Sequence, residues 1–178
     1  MGHHDAQVHR RETVYRGFID LVEAEVTYPP PDGERHHVVF AAPRPAAAVL
    51  PLRADGAVLL ARQYRPAVGR TLAEIPAGGI DEGEEAEAAA VRELREELGL
   101  APGRLVDLGT LLPSPGTSAE VLRLFAAFDC RKVDRPGGAE SIEVEMIDSL
   151  QAAVRLVVDG SLPDAKTQVA ILRLYADR

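Results

Sequence analysis

From Glu84 to Leu98 the chain consists only of Ala, Glu, Leu, Val and Arg, and Gly99 follows at once. Such residues are helix formers, and a glycine directly after them is a frequent helix stop. At about 100° per residue, Ala86, Ala90, Leu94 and Leu98 advance along one arc with Val91, marking the face that packs inward. Glu97 projects inside that arc and Glu93 lies at its edge, whereas Glu85, Arg92 and Glu96 point to the other side and Arg95 points opposite. Most of the six glutamates between Glu84 and Glu97 can be read as a solvated face supported by Glu and Arg pairs three and four residues apart. Glu93 and Glu97 cannot. Two carboxylates one turn apart at a core border repel each other, and each costs on the order of several kcal/mol if left unpaired. They need a cation, and oxygen donors with no Cys or His nearby favour Mg²⁺ or Mn²⁺ over zinc. The paired glycines in the preceding Glu74-Ile75-Pro76-Ala77-Gly78-Gly79-Ile80 let the backbone approach a ligand closely.

At 178 residues the chain suits one domain. Residues 1–12 are polar and read as a flexible tail, its His3-His4 pair included, which leaves 13–178 as a single domain. Residues 13–45 hold two extended segments divided by a Pro-rich turn. AAAVLPL (46–52) and GAVLLARQYR (56–65) read as buried strands joined as a hairpin around Asp55-Gly56. Further strands are expected at 104–112, 121–129 and 141–147, and closing helices at 149–159 and 165–176. Strands, one helix, strands, then helices imply an α/β sandwich with a mixed sheet and an N-terminal antiparallel strand region. No apolar run reaches the ~20 residues of a membrane span. The net charge of −8 argues against a nucleic-acid-binding face. The single cysteine, Cys130, reads as buried filler and fits a reducing cytoplasm.

Gly78, then Glu84, then Arg92-Glu93-Leu94-Arg95-Glu96-Glu97-Leu98-Gly99-Leu100 together resemble the Nudix box in full. The resemblance implies the Nudix α/β/α sandwich, with a loop–helix–loop that holds one to three divalent ions. It also implies cleavage of a nucleoside diphosphate linked to another group. By the same resemblance Glu93, Glu96 and Glu97 are metal ligands, Glu84 is a weaker candidate, Ala77 adds its carbonyl oxygen and Arg92 orients the glutamates. Mg²⁺ or Mn²⁺ would cover the diphosphate oxygens against the acidic protein and acidify a bound water for attack on phosphorus.

Arg62-Gln63-Tyr64-Arg65-Pro66, Glu74-Ile75-Pro76-Ala77-Gly78 and Ser114-Pro115-Gly116-Thr117-Ser118 resemble the ADP-ribose pyrophosphatase branch of that family. The resemblance implies hydrolysis of ADP-ribose to AMP and ribose 5-phosphate in a homodimer, with residues 13–45 in its interface. Arg62 and Arg65 are the expected phosphate or ribose contacts, because a guanidinium offers two parallel donors. Pro115 matches the branch's loop proline. Tyr28, Phe18 and Tyr64 could equally stack on adenine or fill the core. A general base is expected on the Gly-rich loop before 141–147, with Glu140 as this base or an extra metal ligand and Glu143 as second choice. The competing readings are a GDP-mannose or other nucleotide-sugar hydrolase and a non-catalytic nucleotide sensor, the latter opposed by the full set of box glutamates.

Overall fold

The computed structural model describes residues 6–29, 33–136 and 142–177. The chain divides into two compact units, Met1–Arg44 with Leu112–Glu120, and Pro45–Leu111 with Val121–Arg178.

In the first unit, β1 (Gln7–Tyr15), β2 (Asp20–Thr27) and β3 (Arg35–Ala42) form an antiparallel sheet in that order. Strand β2 alternates, burying Val22, Ala24 and Val26 while Glu23 and Glu25 take the other face, as a half-buried strand does. The segment 112–120 joins this unit by its backbone, with Ala41 N donating to Thr117 O at 2.9 Å and Ala119 N to Ala41 O at 2.8 Å. Strand β1 begins inside the stretch read as a tail. Gln7, Val8 and Arg10 to Glu12 pair with residues 23–27, the register shifting at His9. Because all six side chains are exposed, the sequence shows no apolar alternation there.

Along the second unit run β4 (Ala46–Pro51), β5 (Val58–Arg65), β6 (Arg70–Glu74), β7 (Ala77–Gly79), α1 (Ala86–Leu98), β8 (Leu100–Ala101) and β9 (Arg104–Leu111). There follow β10 (Leu122–Phe128), β11 (Arg131–Lys132), β12 (Glu143–Ile147), α2 (Leu150–Val158) and α3 (Ala165–Ala176). A mixed sheet has the order β7-β4-β10-β9, with β4 and β10 parallel. A second, antiparallel sheet has the order β12-β5-β6, and β8 pairs with β11.

Strands β4 and β10 have apolar residues on both faces because both faces are covered. Ala47, Val49, Phe125 and Ala127 pack with Ala89, Ala90, Leu94 and Leu98 of α1. Their neighbours Ala48, Leu50, Leu124 and Ala126 pack with Leu150 and Ala153 of α2 and Ala170, Ile171 and Leu174 of α3. Each fully buried Leu stabilises by roughly 2 kcal/mol. This is the expected α/β/α sandwich.

The hairpin expected at Asp55-Gly56 is only a turn. Arg53 N donates to Ala57 O at 2.9 Å and Leu52 bridges Val58, but β4 and β5 then enter different sheets. Both edges of β4 are occupied, by β7 and β10, so β5 has no free edge to join.

Candidate active site

The site grows from the loop and helix around Gly78 to Gly99. Helix α1 starts at Ala86, two residues after the expected Glu84, because 81–84 form a turn: Glu84 N donates to Asp81 O and Asp81 N to the Glu84 side chain, both at 3.0 Å. The helix ends where Gly99 takes φ 63° and donates to Arg95 and Leu94 carbonyls. Its buried face is Ala89, Ala90, Leu94 and Leu98, while Val91, placed on the inner arc from sequence, is only half-buried. The apolar stripe is thus rotated toward Ala89.

Arg92 is the hub of the acidic cluster. Its Nε and Nη2 donate to the two carboxylate oxygens of Glu84, both at 3.0 Å, and Nη2 also donates to Gly79 O at 2.8 Å. Its Nη1 reaches Glu93 and, at 3.5 Å, Glu96. One guanidinium therefore fastens three carboxylates to the loop backbone, and it is held more firmly protonated than usual by its bond to Glu84. The same bond, with that from the Asp81 amide, lowers the Glu84 carboxyl to about 2.

Glu93 and Glu97 differ from Glu84. Burial pushes Glu97 up to about 7, against a hydrogen bond from Ala77 N at 3.3 Å and with help from nearby Glu93. Burial also raises Glu93, with Arg92 opposing. Glu93 lies on the loop backbone: a Cβ at Gly78 would fall 1.9 Å from its Oε1. Among the described residues no three acidic, His or Cys side chains already converge as a ready-made cage; Arg92 stands between them. The donors nevertheless suit a hard divalent ion, since two half-buried carboxylates are held up by desolvation and by neighbouring carboxylates, which a cation relieves.

Behind the loop lies a second charged group that sequence reasoning missed. Glu74, 3 % exposed, accepts from Arg65 Nε at 2.9 Å and Nη2 at 2.8 Å, and also from Lys166 Nζ. Burial alone would raise Glu74, but Arg65 and Lys166 outweigh it and leave the carboxyl below its usual range. Lys166 also donates to Asp164 at 3.0 Å. Asp164 caps α3 by accepting from Thr167 N at 3.0 Å, and Thr167 Oγ1 accepts from Ile75 N at 2.9 Å. In the sequence, a single lysine on an amphipathic helix carries no signal of burial.

Arg65 therefore sits on Glu74 within reach of Glu97's charge. Arg62 is engaged by strand β12, at 2.8 Å from Glu145 and 3.5 Å from Glu143, which also accounts for Glu143. Glu140 lies outside the described residues. Pro115, on the turn where Ser118 N donates to Ser114 O, belongs to the first unit, as do Phe18 and Tyr28. Tyr64 is exposed on β5, and Phe18 is wholly exposed. Cys130 is buried, and that burial raises its thiol to about 11, consistent with filler.

The NUDIX domain family matches residues 42–161. The chain is similar to the ADP-ribose pyrophosphatase of Bacillus subtilis (strain 168), 33% identical over 90% of this chain and 88% of that protein. It is also similar to the ADP-ribose pyrophosphatase of Mycobacterium tuberculosis (strain ATCC 25618 / H37Rv), 32% identical over 99% of this chain and 86% of that one. Among solved structures, a crystal structure of an ADP compounds hydrolase superposes with a TM-score of 0.82 at 22% identity. That match covers 96% of this chain and 92% of the other, a likeness of fold.

Proposed function

The chain belongs to the Nudix family of hydrolases, and on that premise we propose that it hydrolyses the diphosphate bond of ADP-ribose, giving AMP and ribose 5-phosphate. The observation that carries the reading is the complete box folded as one site, with Glu84, Glu93 and Glu96 gathered on Arg92 and Glu97 beside Ala77. Its substrate half rests on the named activity of relatives aligned over most of the chain.

Nudix hydrolases work with divalent metal; here Glu93, Glu96, Glu97 and the Ala77 carbonyl would hold it, with Mg²⁺ or Mn²⁺ the proposed ion. Bound metal supplies charge neutralisation of the diphosphate and a water acidic enough to attack phosphorus near pH 7. The protein's own part is placement. Arg92 holds the carboxylates in register with the loop, and Gly78 gives Glu93 room. Arg65, oriented by Glu74, and Arg62, earlier on the same strand, take phosphate or ribose oxygens; Pro115 is a proposed substrate contact on the resemblance of its own loop. Glu140 accepts the proton of the attacking water; unchanged turnover in Glu140→Gln would remove it from the mechanism.

A homodimer is proposed on the exposed apolar side chains of the first unit, among them Val8, Val14, Tyr15 and Phe18. A cytoplasmic location is proposed on the lone buried cysteine. No helix among the described residues is long and apolar enough to cross a membrane.

The test is release of phosphomonoester from ADP-ribose, GDP-mannose, coenzyme A and 8-oxo-dGTP with Mg²⁺, comparing wild type with Glu97→Gln. Preferred cleavage of ADP-ribose, reduced about 100-fold or more in the variant, is expected. Preference for GDP-mannose would move the substrate and keep the site, and silence on all four would sink the hydrolase reading.

A further inference from the structure

We infer that Thr167 and Lys166, at the start of α3, are positioning residues that fix the metal-binding loop against α1. The inference rests on the metal site proposed above. Both residues lie beyond residue 161, where the family match ends, so membership assigns them nothing.

The geometry is a closed ring. Ile75 N donates to Thr167 Oγ1 at 2.9 Å, and Thr167 Oγ1 donates to Asp164 Oδ2 at 2.6 Å. Lys166 Nζ spans Asp164 Oδ1 and Glu74 Oε2, and Glu74 precedes Ile75 in the chain. The ring therefore clamps two consecutive loop residues from one side. On the other side the next two are held as well, since Val49 N donates to Pro76 O at 3.0 Å and Ala77 N donates to Glu97 at 3.3 Å. Four consecutive residues, from the end of β6 to the start of β7, are thus pinned between α3, β4 and α1, and the last of them is the proposed carbonyl ligand beside Glu97.

The clamp is too buried to be an ordinary surface network. Thr167 is 0 % exposed and Glu74 3 %, and the Lys166 side chain is 11 % exposed. The charges also balance, with Arg65 and Lys166 facing Glu74 and Asp164, so the ring holds position without adding net charge beside the carboxylates. Partners that hold a ligand's own hydrogen bonds commonly change metal affinity by about 10- to 100-fold when removed.

Thr167→Val removes the hydroxyl and keeps the shape. Mn²⁺ titration of the purified full chain, read by the electron paramagnetic resonance of free Mn²⁺, is expected to show affinity weakened about tenfold or more. In metal-free protein the Ile75 and Ala77 amides should exchange faster with solvent. On ADP-ribose, kcat should fall with KM little changed, and Thr167→Ser should restore both kcat and Mn²⁺ affinity. Lys166→Met, which leaves the Ile75 hydrogen bond in place, carries the same test of affinity if Thr167→Val does not fold. A folded variant with a lowered Tm but wild-type Mn²⁺ affinity and kcat would make the ring a matter of stability alone and overturn the inference. Failure of the wild type to bind Mn²⁺ would instead remove the metal reading, and this inference with it.

Discussion

Gly78 and Glu93 occupy their places jointly, because any side chain at 78 would meet the Glu93 carboxylate within 1.9 Å. Gly78→Ala should leave the sandwich folded, since the clash falls on the end of one side chain, and should displace that carboxylate from the loop. We expect Mg²⁺ affinity to fall about 10- to 100-fold with an unchanged circular dichroism spectrum; wild-type affinity would show that Glu93 is free to move. Glu97 makes a prediction in pH. Its carboxyl is protonated up to about 7 in the folded, metal-free chain, chiefly through burial, but ionises at its ordinary value of 4.5 when unfolded. The folded state therefore holds the extra proton between those values. Stability from this group is complete below pH 4.5 and is lost as pH rises to about 7, by roughly 3 kcal/mol at most. In EDTA, the Tm of wild type relative to Glu97→Gln should decline from pH 5 to 7.5, and Mg²⁺ should reverse the decline. A difference independent of pH would contradict the placement of Glu97.

At the scale of elements, α1 shows what sequence patterns reveal and what they miss. Its body and its glycine stop were legible from the run of helix formers ending at Leu98, although its start was read two residues early, and the inward position of Glu97 followed from the wheel. Strands β7, β8 and β11 were not legible, since two or three residues offer no alternation to detect. The β4 to β5 turn misled because local Asp-Gly chemistry fixes a turn but not which sheet each strand enters. Arg62 and Arg65 were found as guanidiniums at a strand end, whereas Glu143, Glu145 and Glu74 as their partners depend on strand pairing that no local pattern encodes. The glycine stop is itself testable. Gly99 is left-handed at φ 63°, and a Cβ there would lie 3.0 Å from Arg135 Cγ and 3.3 Å from Val133 O. Gly99→Ala should cost about 1–2 kcal/mol, read as a lower urea midpoint with an unchanged slope; no shift would mean the helix end relaxes freely.

For the whole molecule, the proposed dimer is the property that a single chain expresses least. Light scattering is expected to give twice the 19.1 kDa of the chain, and a mass of one chain would undo the proposal. The order in which the parts are made is also written into the contacts. The box glutamates have all been synthesised by residue 97, yet β4 pairs with β10 only once residues 122–128 exist. The Ile75 amide waits for a hydroxyl 92 residues further along. At roughly 5–20 residues per second of translation, that is a delay on the order of 5 to 20 seconds. During this interval the nascent chain carries its acidic helix with neither α3 nor the ring that steadies the loop. A ribosome that stalls before α3 would hold a chain bearing the full box without the ring proposed to steady its loop, so the supporting contact forms well after the glutamates it serves.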